Sequence, residues 1–131
     1  MNSKTRRLLL LCLAFCFFIP SCSEQKKEEN MLLRHVVLIK FKEGSTAEQI
    51  KAVEEKFTGL SDKIKEVKDF EWGTNVSPEN LAQGFTHCFF VTFINEKDRD
   101  IYLPHPDHKE FVDVLVPVMD QVLVVDYFSK N

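Results

Sequence analysis

The stretch LLRHVVLIKFK at residues 32–42 decides the fold of this chain. It is rich in apolar and β-branched residues, and Gly44 and Ser45 end it, which is the pattern of a β-strand. Because side chains alternate across a strand, the odd and even positions lie on opposite faces. The odd face is the more apolar and is expected to meet the core. It consists of Leu33, His35, Val37, Ile39 and Phe41, opposite Arg34, Val36, Leu38, Lys40 and Lys42.

The elements that follow this strand alternate in a regular order. Ser45 and Glu48 have the spacing of a capping box, and apolar residues then recur every three or four positions as far as residue 64. Further strands are predicted over residues 67–76, 85–94 and 121–128. A helical turn over 96–103 and a helix over 107–116, with Pro106 at its start, lie before the last strand. The order β-α-β-β-α-β predicts an α+β, ferredoxin-like fold, a four-stranded antiparallel sheet with helices on one face.

This topology leaves one face of the sheet without a helix. Val36 and Leu38 make that face partly apolar on the first strand, as do Cys88 and Phe90 on the third. An apolar patch of this width is unusual on the surface of a monomer. We therefore expect the helix-free face to pair with that of a second copy, which gives a dimeric α/β barrel.

The first 21 residues differ in composition from the rest. Lys4, Arg6 and Arg7 precede an unbroken apolar run over residues 8–19, which is shorter than the ~20 residues a membrane span needs. The pattern predicts a signal peptide over residues 1–21. The Ile-Pro-Ser-Cys sequence at residues 19–22 resembles the cleavage box of bacterial lipoproteins. That resemblance implies a lipid on Cys22, a flexible tether over 22–30, a domain over 31–131 and attachment to the outer membrane of a bacterial envelope. An ordinary signal peptide with a chance Cys is the alternative.

Composition excludes other classes of protein. The chain has 131 residues and a net charge of −3, and without the leader it carries 14 basic and 20 acidic side chains. This is the length of one domain, and its acidic balance argues against nucleic acid as a partner. Beyond Cys22 only Cys88 remains, so no disulfide is expected within the domain.

Five short motifs resemble the stress-responsive dimeric α/β-barrel family, often called Dabb. They are the first strand, Trp72-Gly73, the Gly84-Phe85-Thr86-His87 sequence, the Tyr102-Leu103-Pro104-His105-Pro106-Asp107-His108 stretch and Asp126-Tyr127. Membership implies a homodimer built through the sheets. Some plant members are polyketide cyclases, and their catalytic positions correspond here to Tyr102, His108, His35 and Asp126. Those cyclases carry a further Tyr on the first helix, where this chain has Phe57.

The same four residues suit a cofactor-free site on chemical grounds. Histidine is the natural base near neutral pH, and a tyrosine hydroxyl can donate to an oxygen that gains charge. Asp126 is expected to hold an imidazole in one tautomer. No metal or other cofactor is required, and a small apolar ligand is the expected partner. The apolar lining is predicted to consist of Val37, Ile39, Phe57, Phe89, Val91, Phe93, Leu103, Phe111, Val122 and Val124.

Other interpretations of these residues stay open. His35 and Tyr102 are also compatible with core positions, and His105 with a helix start. His105 and His108 have the spacing of a metal pair but lack a third ligand. Two classes of function therefore remain, a ligand-binding dimer at the envelope and a cofactor-free enzyme acting on an apolar carbonyl compound. Monooxygenase or haem chemistry, as in the wider superfamily, would need a haem ligand that the sequence does not identify.

Overall fold

A computed structural model describes residues 31–130 of the chain. The predicted signal peptide, the predicted lipidation site at Cys22 and the predicted tether lie outside these residues. The strands are β1 (Leu33–Phe41), β2 (Asp69–Thr74), β3 (His87–Phe93) and β4 (Met119–Phe128), and the helices are α1 (Ala47–Thr58), α2 (Leu60–Lys63), α3 (Glu96–Tyr102) and α4 (Pro106–Leu115). All neighbouring strands are antiparallel, in the order β2-β3-β1-β4. The predicted ferredoxin-like topology is confirmed.

The first helix begins one residue later than the capping box in the sequence suggested. Thr46, not Ser45, is the N-cap: its hydroxyl accepts from the Gln49 N–H at 3.3 Å, and the Gln49 side chain accepts from the Thr46 N–H at 2.9 Å. Both pairs have the required spacing, and the structure uses the second because the Ser45 N–H instead bonds the Lys42 carbonyl. At the other end, Gly59 separates α1 from the short α2.

The alternation of side chains along β1 places the core on the face of the sheet that the sequence predicted. Leu33, Val37 and Ile39 are buried beneath the helices, and His35 shares that face. Phe57 of α1 lies at the centre, with its ring 4.1 Å from that of Phe89 on β3, stacked, and 4.4 Å from that of Phe111 on α4. These three rings pack together between the middle of the sheet and the helices.

The edge strand β4 is exposed on both faces. Val122 and Val124 point to the helix side, yet Val124 is 51% exposed, because the helices cover β1 and β3 and stop short of β4. On the other side, Leu123, Val125 and Tyr127 are exposed beside Val36 and Leu38 of β1. The structure thus has an open edge on the helix side and an apolar helix-free face. None of the helices within residues 31–130 has both the length and the apolar content to span a membrane.

Two histidines outside the predicted site have structural roles. His105 is the N-cap of α4, and its Nδ1 accepts from the Asp107 N–H at 3.3 Å, which confirms that it starts the helix. His87 is buried on β3, where its Nε2 lies 3.0 Å from Glu54 Oε1 and its Nδ1 2.8 Å from the Thr86 hydroxyl. This pair ties α1 to the sheet.

Candidate functional site

A groove of about 350 Å³ lies on the helix side of the sheet, between α4 and the uncovered strand β4. Its walls are mostly aliphatic and aromatic, and its polar side chains are His35, His108 and Asp126. This volume is at the lower end of the range for small-molecule sites. The apolar lining consists of Val37, Phe57, Leu103, Phe111, Val112, Leu115, Val116, Met119, Val122 and Val124.

Most of the predicted lining lies at this groove, but part of it does not. Ile39, Phe89, Val91 and Phe93 are almost completely buried in the closed core instead. They share a face with the lining residues, but they lie on β1 and β3, which the helices cover, whereas β4 is left open. The groove is also lined by residues that were not predicted, namely Val112 and Leu115 of α4, its C-cap Val116, and Met119. Their apolar spacing was visible, but the side of α4 that faces β4 depends on how the helix docks.

His35 and Asp126 form a pair across adjacent strands. They are direct partners in the β1–β4 register, and His35 Nδ1 lies 2.7 Å from Asp126 Oδ1. A carboxylate can only accept, so Nδ1 carries the proton and a neutral His35 ring has its lone pair on Nε2. His35 is only 5% exposed and lies at the wall of the groove. Asp126 therefore orients His35, and not His108.

His108 is held by a backbone carbonyl. Its Nδ1 lies 2.9 Å from the Leu103 carbonyl oxygen, which can only accept, so the proton is again on Nδ1 and Nε2 is the basic nitrogen. Burial lowers the pKa of His108 below its ordinary value of 6.5, and the charges of His35 and His105 act in the same direction, against the bond to Leu103. His108 is therefore mainly neutral at pH 7, the form that acts as a base.

Tyr102 lies behind the two histidines. It is fully buried, with its ring centre 4.6 Å from that of His108 and 6.0 Å from that of His35. Its hydroxyl has no hydrogen-bond partner among the described residues, and it does not line the groove. Burial raises the pKa of this phenol, which stays protonated and able to donate at neutral pH. The four predicted residues are thus close together, with the hydroxyl one layer below the groove.

The unpartnered hydroxyl leads to a prediction about stability. A buried polar group without a partner costs about 1–3 kcal/mol. Tyr102→Phe removes that group and keeps the ring, so we expect the free energy of unfolding to rise by about 1 kcal/mol, measured by urea denaturation. Phe93→Leu, a change of an adjacent ring that leaves no polar group behind, is the control and should destabilise. A loss of stability in the Tyr102 variant would mean that the hydroxyl has a partner in solution.

Arg99 on α3 belongs to the same cluster, although its sequence position does not indicate this. Its Nη1 donates to Asp126 Oδ2 at 3.0 Å, while its Nε and Nη2 donate to Asp100 Oδ1 at 3.2 and 3.0 Å. No local pattern indicates the contact with Asp126, since the two residues are 27 positions apart and belong to different elements. Residues 31–130 contain no group of three or more His, Cys, Asp or Glu side chains placed to hold a metal ion.

Comparison with known proteins places the chain in a family. The model of the stress responsive A/B barrel domain, Dabb, matches residues 33–129, which is most of the chain. The chain belongs to the Dabb family. The stress-response A/B barrel domain-containing protein HS1 of Arabidopsis thaliana is 40% identical over 95 residues, covering 72% of this chain and 87% of that protein.

Two relatives of this Dabb domain are named as enzymes. Olivetolic acid cyclase of Cannabis sativa is 32% identical over 101 residues, 77% of this chain and all of the cyclase. A hydroxynitrile lyase from Passiflora edulis has a similar structure, with a TM-score of 0.72 and 27% identity over 77% of this chain and 95% of the lyase. A dimeric ferredoxin-like protein of unknown function from Thermobifida fusca, 21% identical, has a TM-score of 0.66 over 77% of this chain and 93% of that chain, which bears on the fold alone.

Proposed function

We propose that this Dabb protein binds a small, mainly apolar carbonyl compound in the groove between α4 and β4. One observation carries the proposal: an apolar groove is bordered by two histidines, and each has its Nδ1 bonded within the protein. Both rings therefore have a lone pair on Nε2, which can accept a hydrogen bond or a proton from a ligand but cannot donate to its carbonyl oxygen. Walls of this kind bury an apolar body, and a few polar atoms fix its orientation.

The size and charge of the groove narrow the ligand class. A volume of about 350 Å³ holds about a dozen non-hydrogen atoms, if each is given the ~30 Å³ of a water molecule in the liquid. Asp126, the one carboxylate at the groove among the described residues, is already bonded to His35 and Arg99. A neutral ligand suits these surroundings better than a charged one, since a charge in an apolar site would be desolvated without a partner.

Binding of 2-acetylnaphthalene, a neutral aryl ketone of about this size, tests the proposal. We expect saturable 1:1 binding per protomer by isothermal titration calorimetry, with a dissociation constant in the micromolar range. The carboxylate 2-naphthoate, similar in shape but charged, is the control and should bind at least about tenfold more weakly. Equal binding of the two compounds, or none of either, would contradict the ligand class.

A cofactor-free enzyme is the second candidate, and the state of His108 favours it. His108 Nε2 would take a proton from the carbon next to the ligand carbonyl, and the electron pair of that C–H bond would move to the carbonyl oxygen as an enolate. The Tyr102 hydroxyl lies one layer below the groove and can donate to that oxygen only when the ligand carbonyl enters beyond the groove lining. The named activities of the cyclase and the lyase support this candidate. Phe57, without a hydroxyl, argues against the cyclase reaction itself.

A homodimer through the helix-free face completes the proposal. Leu123, Val125 and Tyr127 are exposed there together with part of Phe90, and burying them would remove a large apolar patch from water. The description of the Thermobifida fusca protein as dimeric shows that proteins of this fold can form dimers. Cys88 lies on the same face, and burial raises the pKa of its thiol, which suits a packing residue better than a nucleophile.

Attachment to the bacterial envelope through a lipid on Cys22 remains part of the proposal. It is supported by the apolar leader and the position of Cys22 directly after it. Expression of the full chain in a bacterium with an outer membrane tests it: the chain should fractionate with that membrane, and Cys22→Ser should release it or leave the leader uncleaved. The matched control is Cys16→Ser, which should change nothing. Identical fractionation of the Cys22 variant and the unaltered chain would contradict the anchor.

A further inference from the structure

A chain of four charged or ionisable side chains runs from the groove to the surface. His35 is the buried end, Asp126 follows at 2.7 Å, Arg99 lies 3.0 Å beyond Asp126, and Asp100 holds the far side of the guanidinium at 3.0 and 3.2 Å. Each oxygen of the Asp126 carboxylate has its own partner, His35 on Oδ1 and Arg99 on Oδ2. Arg99 thus contacts the one charged group that bonds His35 within residues 31–130.

We propose that Arg99 is a positioning residue that acts on His35 through Asp126: it orients the carboxylate and offsets its charge, so that His35 meets the ligand as a neutral ring. The inference rests on the proposed function of the groove. An unopposed carboxylate beside an imidazole favours the doubly protonated ring, which has no lone pair on Nε2. A guanidinium on the second carboxylate oxygen opposes that effect and keeps the side chain in place.

The other groups around His35 do not take the place of Arg99. Asp126 is the charged residue of β4 that faces the His35 ring. On α3 the charged residues on this side are Arg99 and, behind it, Asp100. From α3 and α4, Tyr102 and His108 also lie near the ring; Tyr102 is protonated and neutral, and His108 is mainly neutral at pH 7. The β3 residue opposite His35 is Val91. Arg99 is therefore the positive charge in this cluster that counters Asp126.

NMR of the histidine ring nitrogens in the ligand-free full chain tests the proposal. In Arg99→Gln we expect the ratio of doubly protonated to neutral His35 at pH 7 to rise on the order of tenfold, because one nearby positive charge is lost. Asp100→Asn should move the ratio the opposite way by about twofold, since it removes a more distant and exposed negative charge. Arg99→Lys should stay near the unaltered protein.

Lys97→Gln is the matched control, since it removes an exposed positive charge from the same helix two residues away. It should leave the His35 ratio unchanged. If Arg99 had only a structural role, Arg99→Gln would alter the melting temperature, but the His35 ratio would not shift in opposite directions in Arg99→Gln and Asp100→Asn. Equal ratios in the Arg99→Gln and Lys97→Gln variants would overturn the proposal, and so would a shift of the same sign in Asp100→Asn. Because no ligand is present, a failure to bind 2-acetylnaphthalene would leave this result standing.

Discussion

Val124→Glu is expected to lower the affinity for 2-acetylnaphthalene by at least about 100-fold while the protein stays dimeric. Val124 lies on the wall of the groove, and its 51% exposure lets the variant fold with the carboxylate in water. When a ligand covers that wall, the carboxylate has to give up its hydration without gaining a partner. That desolvation costs several kcal/mol, and about 2.7 kcal/mol already corresponds to a 100-fold change. Titration calorimetry measures the affinity, and light scattering after size exclusion measures the mass.

Val125→Glu is the matched control for this variant. It is the next residue of β4, with similar exposure at 46%, but it points to the helix-free face beside Val36. In the proposed dimer two such carboxylates would be buried in an apolar interface, so we expect monomers that still bind the ketone. The two variants should thus separate binding from assembly. Loss of binding in both, or in neither, would contradict the assignment of the two faces.

His108→Asn is expected to slow the exchange of the methyl protons of 2-acetylnaphthalene with D₂O by about 10²–10⁴-fold, the usual contribution of a general base. Asn can keep the bond to the Leu103 carbonyl through its amide N–H but has no basic nitrogen. Proton NMR follows the loss of the methyl signal. His105→Asn is the control, since Asn is a good helix cap and His105 does not line the groove, so the exchange rate should be unchanged.

The pH profile of the exchange gives a second test of His108. Burial lowers the pKa of His108, so the neutral form persists below the range of a free imidazole. We therefore expect the rate to fall only below about pH 6.5 as the pH is lowered. The same group makes the fold less stable in acid, because the unfolded chain binds the proton more tightly, and His108→Asn should remove that part of the pH dependence.

Two results would contradict the role of His108 as the base. One is an exchange rate in His108→Asn that matches the unaltered protein. The other is an acid limb with its midpoint above pH 6.5, which would indicate a base whose charged form is favoured. Binding of the ketone without any exchange would leave the ligand-binding function and exclude the proton-transfer enzyme.

Local sequence patterns were sufficient to predict the helices and strands of the fold. The alternation of residues 32–42 identified the buried face of β1, and Pro106 marked the first turn of α4, because both follow from the geometry of one element. The predicted capping box at Ser45 was wrong by one residue. Ser45 with Glu48 and Thr46 with Gln49 have the same spacing, and the bond from the Ser45 N–H to the Lys42 carbonyl decides between them. Ile39 and Phe89 were placed at the pocket because their strand faces are apolar, which does not show how far the helices extend.

The sequence by itself determined the β-α-β-β-α-β order and the Dabb resemblance, and through that resemblance it predicted four residues that the structure brings close together. Only the tertiary structure decided that the groove lies at β4 and not at the centre, where Phe57, Phe89 and Phe111 pack together. It also decided that Asp126 holds His35, that Leu103 holds His108 and that Arg99 belongs to the cluster. The physical reason is the separation in sequence between the residues involved. Strand and helix periodicity depend on neighbours along the chain, whereas these contacts depend on how separate elements dock against one another.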